Sequence, residues 1–226
     1  MIKAKAVLAF AFVVVLAACQ QSGNTRAPAA AKYDPLAEAL AAAEADAARD
    51  YQPTPFFKTK VKDLMVSMMD RMLTKCMDAP SESEMTGCFH ERALVGFDRD
   101  GTLRSHCKPQ DDIGEDFKCI VLGGMGHDLR SKLADKTVAP FDWAAPEESA
   151  HLVSRQLILE QLRNCLSSGS ASDPYDCFVG RITTVLDLSS SDLDPCTEYK
   201  DDDTKFGRCV GEAYAFKYMS AGVARM

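Results

Sequence analysis

Nine cysteines are the residues of this 226-residue chain whose number and spacing bear most directly on chemistry. A thiolate can ligate a soft metal or act as a nucleophile, and an oxidised pair can staple a fold. Spacing separates these uses. Cys76 and Cys88, Cys107 and Cys119, and Cys165 and Cys177 each stand 12 residues apart, and Cys196 and Cys209 stand 13 apart. Two further groups could do chemistry: the carboxylates of Asp98 and Asp100 around a glycine turn, and the thioethers of Met65, Met68, Met69 and Met72.

The ninth cysteine, Cys19, belongs to a different device. Lys3 and Lys5 precede an uncharged apolar run, AVLAFAFVVVLA at residues 6–17, and Leu16-Ala17-Ala18-Cys19 closes it. That order is an export signal rather than a folded element. The run is also short of the roughly 20 residues a membrane span needs. Leu-Ala-Ala-Cys resembles the lipobox of bacterial lipoproteins. The resemblance implies cleavage before Cys19, a diacylglyceryl group on its sulfur and a membrane anchor of several acyl chains, which holds durably where one chain is marginal. Gln20, in place of Asp, implies the outer membrane by the rule for enteric bacteria. Loss of the signal removes two lysines and takes the net charge from −7 to about −9. No block of Lys and Arg stands out, so nucleic acid and anionic membrane surfaces are not expected partners.

With Cys19 set aside, eight cysteines remain, an even number in an exported chain, which points to disulfides. Eight allow 105 connectivities. The repeated interval favours local pairs. The step from Cys76 to Cys107 equals that from Cys165 to Cys196, 31 residues in each case. Cys88-Phe89-x-x-Arg92 lines up with Cys177-Phe178-x-x-Arg181, and Phe117-Lys118-Cys119 with Phe206-Gly207-Arg208-Cys209. We read an internal duplication of one four-cysteine unit, since long periods mark repeated supersecondary units.

The elements that must position these sulfurs read as helices. Phe57, Val61, Met65, Met68, Met69 and Met72 recur at helical spacing before Cys76, and Leu152, Leu157, Leu159 and Leu162 before Cys165. The segments inside each pair are polar and rich in breakers, and a second helix is expected at or near the second cysteine. Each disulfide then joins the end of one helix to the start of the next, stabilising by about 3 kcal/mol. CIVLGGMGHDL is the segment whose glycines could instead mark a strand or turn. The expected organisation is a signal peptide at 1–18 and a tether with an Ala-rich helix at 19–56. A first unit follows at 57–137, then a linker at 138–149 in which Trp143 packs between the units, and a second unit at 150–226. The fold class is all-α.

The motifs admit competing readings. Phe97-Asp98-Arg99-Asp100-Gly101-Thr102-Leu103 resembles the first signature of the haloacid dehalogenase phosphatases, which implies Asp98 as phosphoryl acceptor, Asp100 as acid and base, and Mg²⁺. Against it, no strand–helix alternation appears, and the counterpart Asp187-Leu188-Ser189-Ser190 lacks the motif. Asp-x-Asp-Gly also suits a helix end entering a turn. An EF-hand fails because Pro109 stands where a bidentate Glu belongs. The methionines could hold Cu(I), but their spacing is that of a buried helical face. His90, His106, His127 and His151 show no metal-ligand spacing. The acidic runs Asp111-Asp112 and Asp201-Asp202-Asp203 read as solvated surface. No metal, cofactor or catalytic residue is assigned.

Cys76-MDAPSESEMTG-Cys88-FHERALVGFD, with Glu84-Met85-x-x-Cys88 inside it, resembles the start of the LprI-like lysozyme-inhibitor family. Cys107 to Cys119 followed by Arg130 and Leu133 is similar to its second cysteine pair and closing helix. The likeness covers about 60 residues well and the second unit through its cysteines and spacing. It implies an exported, helical protein that occludes the cleft of lysozyme, a basic enzyme with two catalytic carboxyl groups. The expectation is therefore a non-catalytic, outer-membrane-anchored binding module facing the periplasm or exterior. Its partner is a hydrolase such as lysozyme or another envelope protein. The alternatives are the phosphatase and a structural or assembly component of an envelope machine.

Overall fold

Prolines and short polar side chains decide where the helices begin. Pro55 opens α1 (Pro55–Cys76), where its missing N–H is no loss, and the Thr54 oxygen accepts a hydrogen bond from Phe57 N at 3.2 Å. Ser81 accepts from Glu84 N at the start of α2 (Glu82–Phe97). In the computed structural model, residues 53–110, 113–134, 140–168 and 174–226 are described, together with Glu38. The chain continues through α3 (Thr102–His106), α4 (Ile113–Lys118), a π-helical turn at Cys119–Gly123 and α5 (Gly124–Ser131). After the linker come α6 (Pro146–Ser168), α7 (Pro174–Val185), α8 (Ser190–Leu193), a 3₁₀ turn at Asp194–Tyr199 and α9 (Asp203–Arg225). The fold is all-α, with no strand among the described residues.

Four local disulfides close: Cys76–Cys88, Cys107–Cys119, Cys165–Cys177 and Cys196–Cys209, with Cα separations of 5.7, 5.7, 5.8 and 5.5 Å. The second helix of each pair starts earlier than the sequence suggests, at Glu82, Ile113, Pro174 and Asp203, which is about one turn ahead of Cys177 and nearly two turns ahead of the other three cysteines. At α2 and α9 the reason is a cap: Ser81 and Asp202 hold the first free N–H groups and draw the polar segment into the helix. The glycine-rich CIVLGGMGHDL is helical, and its glycines serve close packing. A Cβ on Gly126 would sit 2.9 Å from the Ala150 Cβ, so α5 approaches α6 as only a glycine allows.

The buried side chains form two clusters that do not divide where the sequence repeat divides. One gathers Phe57 of α1, Leu129 of α5, Leu157 of α6, Phe178 and Ile182 of α7, and Tyr214 of α9. The other gathers Met68 and Met72 of α1, Leu94 and Phe97 of α2, and Val223 and Met226 at the end of α9. Thus α1 and α9 run through both clusters, and the two units share their cores. Half-buried Trp143 packs against both clusters and lies flat on His106, ring centroids 4.6 Å apart and planes 2° from parallel. The methionine face is split: Met68 and Met72 are 4 % exposed, but Met65 is 40 % and Met69 43 % exposed. The cluster that receives Met68 and Met72 is narrower than the full stripe.

Polar ties reinforce the interlock. Glu212 on α9 is fully buried, and its carboxyl oxygens accept the Thr54 N–H at 3.1 and 3.3 Å and the Thr54 hydroxyl. Arg71 of α1 donates to the carbonyls of Val223 at 2.9 Å and Ala224 at 3.3 Å, and Arg92 of α2 donates to that of Met226. These cations meet the carbonyl-rich end of α9, where the helix dipole is negative. Between α2 and α4, the buried His90 ring nitrogen Nδ1 lies 2.8 and 2.9 Å from the two Asp116 oxygens.

Replacing Glu212 with Ala leaves the buried Thr54 N–H without its partner. We expect a loss of about 2 kcal/mol in urea unfolding, with the first turn of α1 losing hydrogen-exchange protection ahead of the rest. His151 on α6 gives a pH signature. Burial first, then Arg155, holds its pKa below 6.5. The unfolded chain therefore binds a proton that the fold refuses, so stability is full above pH 6.5 and falls as acidification proceeds toward the depressed value. His151→Gln should flatten that part of a urea-midpoint profile; an unchanged slope would assign it to other groups.

Candidate functional site

The turn between α2 and α3 is built by its acids. Asp98 Oδ1 accepts from Leu103 N and Oδ2 from Arg104 N, both at 3.0 Å, so both carboxylate oxygens are engaged at the start of α3. Asp100 Oδ1 accepts from Thr102 N at 3.0 Å, and hydrogen bonds from Thr102 hold the Asp100 carboxyl below its ordinary range. Gly101 supplies the left-handed turn at φ 81°. The motif that resembles a phosphatase signature is thus a capping turn, and the chain places Arg99 at its outer corner.

That corner overlooks a seam between the two units. A cleft of about 150 Å³ is walled by the turn (Phe97, Arg99, Asp100, Leu103), by α5 (Gly124, His127, Asp128, Ser131) and by Tyr218 of α9. A second depression of about 110 Å³ continues it and shares Arg99, Asp128 and Tyr218, with Lys132, Asp187, Tyr214 and Lys217 around it. Gly124 lets the walls close in, because a Cβ there would collide with the Tyr218 hydroxyl.

The polar groups of the seam differ in what is left for a ligand. Asp128 Oδ2 accepts the Tyr214 hydroxyl at 2.8 Å and has Lys132 Nζ at 3.6 Å. Lys217 is paired with Asp192 at 3.1 Å and lies 3.8 Å from Asp187. Burial, then the Asp128 charge, pushes the Tyr214 and Tyr218 phenols well up, so both keep their protons at neutral pH. Tyr214 spends its proton on Asp128; the Tyr218 hydroxyl, the Arg99 guanidinium and the His127 ring nitrogens make no hydrogen bond or ion pair within the described residues. The His127 ring does rest near Trp143, centroids 6.0 Å apart.

The other residues singled out by the sequence lie elsewhere. Cys19 and the acids Asp111 and Asp112 fall outside the described residues, whereas Asp202 accepts from Lys205 N at 3.1 Å and caps α9. No group of three His, Cys, Asp or Glu side chains is placed to hold a metal, and no helix is long and apolar enough to cross a membrane, among the described residues. Sequence reasoning missed the Tyr214–Asp128 bond, the His90–Asp116 pair and the Thr54–Glu212 tie, whose partners lie 86, 26 and 158 positions apart. Local patterns carry no signal over such spans.

Because Asp98 works as a cap, Asp98→Ala should lower stability by about 1 kcal/mol and Asp98→Asn by less, read in the same urea titration. Equal losses for the two would remove the capping role.

Compared with protein-family models, curated proteins and solved structures, the chain matched none.

Proposed function

We propose that this chain is an exported lipoprotein, anchored through Cys19 at the outer membrane, whose helical body works by binding a protein partner rather than by catalysis. The observation that carries the reading is the set of four local disulfides on one helical body. Such bridges form and persist outside the reducing cytoplasm, which agrees with the basic start, apolar run and Leu-Ala-Ala-Cys19 of the leader. The engagement of both Asp98 oxygens by backbone N–H groups supports a capping role over a phosphoryl acceptor.

Within this reading the partner is a basic hydrolase of the lysozyme kind. The support is the resemblance around Cys76–Cys88 and a formal charge of −7, about −9 once Lys3 and Lys5 leave with the signal, which steers a cationic enzyme toward the chain at low salt. Labelled palmitate should enter the wild-type protein and not the Cys19→Ser variant. Mature protein in stoichiometric excess should slow lysozyme, and added salt should weaken the effect. Unchanged lysozyme activity would remove the inhibitor reading and leave the lipoprotein reading to the palmitate result.

A further inference from the structure

We propose that the seam cleft is a carboxylate-binding site in which the Arg99 guanidinium clamps the ligand and the Tyr218 hydroxyl donates to it. The inference rests on the binding-module reading and adds the chemistry of the bound group.

What remains unspent at the seam selects the ligand. The two lining acids are already engaged: Asp128 by Tyr214 and Lys132, and Asp100 by the Thr102 N–H. The groups without a hydrogen-bond partner among the described residues are Arg99, His127 and Tyr218; Arg99 can only donate, and Tyr218, kept protonated by burial, has a proton to give. A ligand group that pairs with Arg99 must therefore accept. The planar fork of a guanidinium matches a carboxylate in two parallel hydrogen bonds. The same two acids argue against phosphate, because a dianion beside Asp100 and Asp128 meets twice the repulsion that a singly charged carboxylate meets. Size agrees: about 150 Å³ admits a carboxylate with a short aliphatic stem. The walls come from the α2–α3 turn, α5 and α9, elements already locked by buried contacts, so Tyr218 and the backbone that carries Arg99 are held in place before the ligand arrives.

The carboxylate could be that of a free small acid or the C-terminus of a peptide, and the experiment separates them. Folded, oxidised protein is titrated with acetate, with N-acetylglycine, with N-acetylglycinamide and with inorganic phosphate, following backbone amide shifts at Gly124 and His127 by NMR. The expected result is saturable shifts with both carboxylates, none with the amide and weaker ones with phosphate. Arg99→Gln, an exposed position whose change leaves the core intact, should weaken carboxylate binding roughly tenfold or more, and Tyr218→Phe by less. N-acetylglycine binding much more tightly than acetate identifies a peptide terminus; equal binding identifies a free acid. The proposal is overturned by no saturable shift with either carboxylate, by phosphate binding at least as well, or by an Arg99→Gln protein that binds as the wild type does. If Arg99→Gln retains lysozyme inhibition but loses the shifts, the cleft binds carboxylate independently of that partner. Saturable shifts in a protein that leaves lysozyme untouched would sink the inhibitor reading alone.

Discussion

A sulfur bridge across 12 or 13 residues can form only where the chain has already turned back on itself. Four such bridges set the grammar of this molecule. Each fixes one helical corner, and the helices between corners have only their packing left to settle. The bridges also remove much of the loop freedom of the unfolded chain, which matters here because several elements are short. α3 spans Thr102–His106 and α8 spans Ser190–Leu193, and neither would persist alone in water.

The corners are local, but the cores are not. α1 enters one cluster with Phe57 and leaves through the other with Met68 and Met72, and α9 does the same with Tyr214 and then Val223. The duplicated units are therefore repeats of sequence and of disulfide geometry, while the folded body is shared between them. Buried polar ties follow the same plan. Glu212 draws the start of α1 onto α9, and Arg71 and Arg92 reach the carbonyls at the far end of that helix. A separated half would expose one side of each cluster.

The seam produced by this interlock is where the polar chemistry concentrates. Its acids are engaged within the protein, Arg99 remains there as an unpaired donor, and two phenols are kept protonated by burial. The turn that presents Arg99 owes its shape to Asp98, Asp100 and Gly101. The residues that resembled a catalytic motif thus contribute by placing a neighbour.

The all-α class and the four bridges were legible in the sequence, because helical periodicity and evenly spaced cysteines are short-range properties that survive without a partner. The capping turn at Asp98–Gly101 was legible as one of two readings for the same reason. Helix starts were misread toward the cysteines, since Ser81 and Asp202 are single polar residues in polar segments. Which methionines of the stripe are buried, why α5 carries glycines, and how Tyr214 finds Asp128 were decided only by the tertiary structure. Each depends on the approach of a second helix distant along the chain, and the free energy of that contact belongs to neither segment by itself.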